Sequence, residues 1–174
     1  KYQCYKSRLS DFDDGKASLL GDYLPQKLGF EPGENLVSLQ FCGDYKGFVL
    51  FFFENGKAAK VPLSAYETKT NRKKLTGAYS DKSPLAAAMV LEEDAQIALY
   101  SSDGRAAVFS TAQLLPKTTR NTQGVAVMTL KKKAVLQDAR LLEESGIANP
   151  GRYRTKTIPS AGMLLKEEDS ADKQ

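Results

Sequence analysis

At 174 residues, with 41% hydrophobic and 26% charged residues, the chain can bury one sizeable core or several small stacked units. No apolar run approaches the ~20 residues that cross a bilayer, and no His with only two Cys removes the usual proton shuttle and a soft-ligand metal site. The net charge is +4, but residues 166–174 set two Lys against four acids, so residues 1–165 carry +6. Such a basic body suggests a polyanionic partner, although a surplus of this size is also common in proteins that bind none.

Lys1-Tyr2-Gln3-Cys4-Tyr5-Lys6 reads as the middle of a strand, without an initiator Met or a signal peptide, as expected of a piece of a longer protein. Cys4 and Cys42 stand in apolar or aromatic company and are expected to be buried free thiols of a reducing compartment. Residues 1–33 form a variant first unit. Lys6, Leu9, Ser10 and Phe12 match Lys60, Leu63, Ser64 and Tyr66 at an offset of 54. Asp13 to Pro32 breaks into short Asp/Gly/Pro-rich pieces, with a strand expected to begin at Leu19-Leu20-Gly21.

The second unit, residues 34–84, predicts strands at 36–41, 47–54 and 57–63, with a turn at 44–46 and a basic loop at 69–74. The third, 85–123, predicts strands at 85–91, 96–101 and 105–110; its Glu92-Glu93-Asp94 turn reads as acids solvating a hairpin. The fourth, 124–165, predicts strands at 125–130, 134–136 and 158–165, a Lys131-Lys132-Lys133 turn, and a helical turn from Arg140 to Ser145. Residues 166–174 are expected to be an acidic, disordered tail.

One stretch binds these units together. Asn55-Gly56-Lys57-Ala58-Ala59 to Lys69-Thr70-Asn71-Arg72 recurs as Asp103-Gly104-Arg105-Ala106-Ala107 to Lys117-Thr118-Thr119-Arg120, every landmark 48 residues on. A period of this length marks a repeat architecture such as a propeller. Asn-Gly and Asp-Gly predict tight type I′ hairpins. The apolar runs before them, Phe48–Phe53 and Ala95–Ser101, suit strands covered on both faces. The aromatics Phe48, Phe51, Phe52, Phe53, Tyr66, Tyr100 and Phe109, and Met89, Met128 and Met163, are assigned to the core.

Catalytic motifs are missing: there is no metal-ligand spacing, Gly-x-Ser-x-Gly, phosphate loop or nucleotide-binding glycine fingerprint. The functional candidates are basic clusters: Lys69, Arg72, Lys73 and Lys74; Lys117 and Arg120; Lys131, Lys132 and Lys133; Arg152, Arg154 and Lys156. Any one cluster is best explained as edge protection. The repeat, however, places the first two at equivalent positions on one rim, where cations with Thr and Asn donors (Thr70, Asn71, Thr118, Thr119) would track a phosphate backbone. No base-reading set is evident, so binding should be sequence-tolerant.

The order turn-Gly-Lys/Arg, strand, basic Thr-Arg loop, then Gly124-Val-Ala-Val-Met-Thr-Leu130 resembles the C-terminal domain of the A subunits of bacterial type IIA topoisomerases, the family that includes those of DNA gyrase and topoisomerase IV. The resemblance runs from about Tyr5 to Leu165, with Lys117–Gly124 its most specific piece. It implies an all-β, propeller-like β-pinwheel of four-stranded blades, about three to four of them in this chain. It further implies a non-catalytic part of an ATP-dependent enzyme, needing no cofactor of its own, that binds and bends double-stranded DNA. Implied partners are the N-terminal breakage-reunion portion of the same polypeptide and the ATPase B subunit, in the cytoplasm at the nucleoid and away from membranes. The glutamine-arginine-arginine-glycine box of gyrase is absent, residues 70–77 offering only a degenerate version, which favours a topoisomerase IV-like or divergent gyrase-like protein. The alternatives are a propeller-like protein–protein interaction module and, remotely, a small β-fold enzyme.

Overall fold

A computed structural model describes residues 2–70 and 73–170. Among the described residues the chain is all-β apart from one helix and short 3₁₀ turns. Its strands are β1 (Cys4–Tyr5), β2 (Phe48–Phe53), β3 (Lys57–Pro62), β4 (Lys74–Leu75), β5 (Leu85–Leu91), β6 (Gln96–Ser101), β7 (Arg105–Ser110), β8 (Val125–Ala126), β9 (Leu136–Leu141) and β10 (Met163–Leu164). They build two antiparallel four-stranded sheets, β5-β2-β3-β8 and β10-β7-β6-β9, and a two-stranded sheet, β1-β4.

Each complete sheet is a hairpin flanked by strands from later in the chain. β2-β3 receives β5 and β8, while β6-β7 receives β9 and β10. β5 runs directly into the β6 hairpin in sequence yet pairs with β2, so the repeats of the sequence are not the sheets of the fold. This strand exchange is the pinwheel arrangement, here with two full sheets and one of two strands.

The hairpins show why the 48-residue period matters. Gly56 (φ 81°) and Gly104 (φ 78°) take left-handed conformations, whereas Asn55 and Asp103 do not. The Gly56 N–H donates to Phe53 O at 3.0 Å and the Gly104 N–H to Ser101 O at 3.1 Å. These are therefore type I turns closed by a left-handed glycine, not type I′ turns. Asn55 steadies its turn by accepting from the Lys57 N–H at 3.1 Å.

The unbroken apolar run of β2 is explained by its two covered faces. Leu50 and Phe52 enter one core with Ile97, Leu99, Phe109, Val127, Met128 and Leu136, between the two complete sheets. Val49, Phe51 and Phe53 enter another with Val61, Leu63, Tyr66 and Leu75, beneath the β1-β4 sheet. A third, smaller core of Ala98, Ala106, Val108 and Tyr153 lies on the far face of β6-β7. Each fully buried Phe or Leu contributes about 1.5–3 kcal/mol. The aromatic core assignments hold, with Phe48 and Tyr100 half-buried at the margins, but Met163 is 58% exposed because β10 is an edge strand.

Other expectations give way. Residues 36–41 form no strand, and Leu36, Val37, Leu39 and Phe41 are exposed, for want of a neighbour to pair with. No strand starts at Leu19; the chain instead makes a helix, α1 (Leu24–Leu28), with Pro25 in its first turn and Gly29 as left-handed C-cap. The strand expected at 125–130 stops at Ala126, and that at 158–165 is only Met163–Leu164, each continued by a lone bridge, Met128 to Ser160. The returning strand runs to Leu141, so Arg140 is in β9 and the helical turn is confined to Leu142–Glu144.

The acidic tail is not free where it is described. Asp169 is fully buried, accepting from the Tyr153 hydroxyl at 2.7 Å, the Asn149 N–H at 3.0 Å and Arg152 Nη1 at 3.3 Å. Three donors offset the cost of burying the carboxylate, and Lys166–Ser170 therefore closes over the third core. Residues 171–174 lie outside the described part.

Candidate nucleic-acid interface

Three connecting loops carry Lys69 and Lys73, Lys117 and Arg120, and Lys156, and each leads into the last strand of a sheet. Lys69, Thr70 and Lys73 stand before β4, 117–124 lead into β8 and 155–162 into β10. β5 and β9 lie against one another at the opposite edge, so the loops fall on the rim away from where the sheets meet.

The second and third loops are held by the same bonds. The Lys117 N–H donates to Lys60 O at 2.9 Å, as the Thr155 N–H does to Val108 O at 2.9 Å. The Val127 N–H donates to Gly56 O, as the Leu165 N–H does to Gly104 O, both at 2.9 Å. Between them Gly124 (φ 73°) and Gly162 (φ 70°) sit so close to β3 and β7 that an added Cβ would meet Ala58 O at 2.0 Å and Ala106 O at 2.6 Å. Lys60 and Val108, like Ala58 and Ala106, are 48 residues apart, while Lys117 to Thr155 and Gly124 to Gly162 are both 38. A shorter connection thus conceals a third copy, Thr155-Lys-Thr-Ile-Pro-Ser-Ala-Gly162, which the fixed period of 48 could not reveal.

The first loop keeps one of these bonds, the Ala78 N–H donating to Tyr2 O at 3.0 Å, but no glycine presses on its strand and it has its own anchor. The Lys6 N–H donates to Lys73 O at 2.6 Å, and Lys6 Nζ donates to Tyr66 O at 3.0 Å and Thr68 Oγ1 at 2.9 Å. Lys60, 54 residues on, does likewise: its Nζ donates to Thr111 O at 3.2 Å and pairs with Asp94 at 2.7 Å, 4.2 Å above the Phe48 ring. Asp94, held below the usual carboxylate range by Lys60 and the Thr111 hydroxyl, is a strut between hairpins and not a solvating turn residue. Lys6 and Lys60 are positioning residues that stand outside the charge clusters of the sequence. Their shared place in the repeat was the available signal.

The basic clusters separate into three groups. Lys69, Lys73 and Lys117 are exposed on the rim loops, with Thr70, Thr118 and Thr119 beside them; Arg120 is half-buried, its guanidinium 6.0 Å from the Tyr66 ring centre. Lys156 is exposed on the third loop, while its carbonyl accepts from Gln113. Arg72 and Asn71 lie outside the described residues. Lys131, Lys132 and Lys133 are exposed but occupy a turn beside the Gly56 hairpin end, where Leu130 packs near Gly56, and so form a separate patch. The remaining cations are engaged: Lys74 with Glu31 at 2.5 Å, Arg152 with Glu168 and Asp169, and Arg154 with Gln96 at 3.1 Å.

No group of His, Cys, Asp or Glu among the described residues suits a metal ion, and no helix there is long and apolar enough to cross a membrane. Cys4 and Cys42 are free and half-buried, and burial pushes the Cys4 thiol up.

No family model matches this chain, and no curated relative does. Solved structures with the same fold do. A C-terminal domain of DNA topoisomerase IV superposes with a TM-score of 0.70 at 18% identity, over 86% of this chain and 52% of that one. The C-terminal domain of the E. coli protein ParC gives 0.61 at 13% identity, over 87% of this chain and 68% of that one. A DNA gyrase A C-terminal domain gives 0.57 at 15% identity, over 84% and 55%. The chain therefore spans about half the length of two of the domains whose fold it shares.

Proposed function

We propose that this chain binds double-stranded DNA without reading its sequence, as the non-catalytic C-terminal part of the A subunit of a type II topoisomerase. The observation that carries the reading is a cationic loop before the last strand of each sheet, two of the three held by the same bonds, presenting Lys69, Lys73, Lys117 and Lys156 with hydroxyls from Thr70, Thr118, Thr119 and Thr157. A duplex lying along these edges meets one cationic loop per sheet, and successive loops contact successive stretches of backbone. Because the two complete sheets meet along β5 and β9 and carry their loops at the far edges, a duplex following the rim would be bent. Smooth bending of a 20–30 bp site costs roughly 1–6 kcal/mol, which only several distributed contacts offset. In an intact enzyme that bend would guide segments to the breakage-reunion portion, and the ATPase B subunit would be the further partner.

The test is end-to-end energy transfer on a doubly labelled 40-bp duplex titrated with this chain. Binding with rising transfer, alike for unrelated sequences, supports the proposal. Absence of binding at low salt removes it and leaves the loops as protection of the sheet edges.

A further inference from the structure

The segments that follow the rim loops carry a second kind of surface. The Ala78, Val127 and Leu165 N–H groups donate to Tyr2 O, Gly56 O and Gly104 O, which aligns the two residues before each of them. Those pairs are Thr76-Gly77, just after β4, and Val125-Ala126 and Met163-Leu164, which are β8 and β10. All six residues are exposed, although the residue that follows each pair is buried or half-buried. Side chains of a strand alternate between faces, so one of two neighbours is ordinarily covered. Here both stay open because each pair lies at the outer edge of its sheet, with no strand beyond it. The pairs grow larger and more apolar along the chain, ending in Met163 (58% exposed) and Leu164 (63%), with Val125 at 49%. Val125 is exposed in mid-chain at the place Met163 holds, so the exposure belongs to the position.

These apolar side chains stand among cations. Across the ladder Ala126 faces Lys57 and Leu164 faces Arg105, two residues 48 apart in the sequence. Directly opposite residues share one face of a sheet. The loops that lead into β8 and β10 add Lys117 and Lys156. Apolar side chains set between charges suit a protein partner poorly, since the core of a protein interface is depleted of charged residues. They match a nucleic-acid backbone, in which a sugar separates each phosphate from the next.

We propose that Val125, Met163 and Leu164 rest on the deoxyribose walls of the minor groove while the loop lysines hold the flanking phosphates, and that this contact selects duplex DNA over duplex RNA. The inference rests on the DNA reading above and adds the sugar as the feature recognised. Every nucleotide carries that sugar, so the contact is sequence-tolerant. The C2′ of deoxyribose is a methylene, which an apolar side chain covers without loss. In RNA the same carbon carries a hydroxyl, and covering it removes water from a polar group to which Val and Leu offer no partner and Met only a weak acceptor. The minor groove of an RNA duplex is also wide, shallow and lined by these hydroxyls. Met163 and Leu164 are the largest pair, so β10 contributes most to the selection.

The test measures binding of the chain to a 40-bp DNA duplex and to the RNA duplex of the same sequence over a range of salt. The native chain should prefer DNA. Met163→Ser combined with Leu164→Ser should weaken DNA binding roughly 10-fold by removing apolar contact. RNA affinity and the salt slope on DNA should stay as they were, because the phosphate contacts are kept. Val125→Ser, on the other complete sheet, should act in the same direction by roughly 2–3-fold, so the proposal does not hang on the folding of one variant. Met163→Leu, which keeps the apolar contact, should bind as the native chain does. Unchanged DNA affinity in both Ser variants overturns the proposal, as does an equal loss on DNA and RNA or a lowered salt slope. Dimers of the native chain that the Ser variants abolish overturn it too, assigning β10 to a second copy. With DNA still bound, each of these results leaves the rim-loop reading standing, whereas no binding of the native chain to DNA at low salt removes both.

Discussion

Residues 117–124 and 155–162 occupy one position on neighbouring sheets yet share little chemistry. Both close with a left-handed glycine pressed on a strand carbonyl, and both begin with an amide bonded to the middle of β3 or β7. Lys117 is replaced by Thr155 and Arg120 by Ile158, while a cation appears at Lys156 in place of Thr118. The backbone bonds and the glycine thus suffice to form the loop. The charges are not required for it, which is why a role in binding is the reading that explains them.

The largest effects should come from what the loops share. Gly124→Ala brings a Cβ to 2.0 Å from Ala58 O with positive φ retained, and should destabilise by about 2–5 kcal/mol from left-handed strain plus overpacking. Gly162→Ala, at 2.6 Å, should fall in the lower half of that range, both read by urea denaturation. Equal and negligible effects would break the equivalence of the loops.

Next come the struts that only one of the two sheets has. Lys60 is 7% exposed, so Asp94→Ala leaves a nearly buried ammonium short of a charged acceptor and should cost about 1.5–3 kcal/mol. Val108, its counterpart, has no such dependence. The closure of the far sheet depends on Asp169, whose carboxyl is held below its usual range, first by the Tyr153 hydroxyl. A group with a depressed folded value stabilises above its unfolded value of about 3.9 and loses that contribution as pH falls through the folded one. Stability should accordingly be flat above about pH 5 and decline below about 4, and Asp169→Asn should flatten that decline.

The smallest stability effects belong to the side chains in which the loops differ. Arg120→Ala removes a guanidinium from above Tyr66 and should cost only about 0.5–1 kcal/mol, and Lys156→Ala nothing measurable. Their effect on DNA affinity should run the other way. Arg120→Lys, keeping charge without the planar stack, separates the two contributions.

Much of this was legible from residues. The 48-residue period located β2, β3, β6 and β7 because a hairpin is local, its register set by Asn55-Gly56 and Asp103-Gly104. Strand exchange was not legible: β8 and β10 are two-residue edges whose pairing depends on distant partners, so the sequence reads them as longer than they are. Leu36–Phe41 reads as a strand for sound reasons and lacks only something to pair with. On the rim, Lys69, Lys73 and Lys117 were found as charge, but the engagement of Arg152 by Glu168 and Asp169 was not, because an acidic terminus looks soluble until Tyr153 and Asn149 supply donors.

Phosphate binding by the rim loops would make duplex affinity fall steeply with salt, and that salt dependence is the measurement to make first. The native chain should be compared with a variant carrying Ala at Lys69, Lys73, Lys117 and Arg120. Each phosphate contact contributes about 0.9 to the slope of log affinity against log salt, so the variant should lose roughly two to four units while unfolding nearly as the native chain does. An unchanged slope in a folded variant would rule out phosphate binding by the rim loops and place any DNA contact elsewhere, first at Lys131–Lys133.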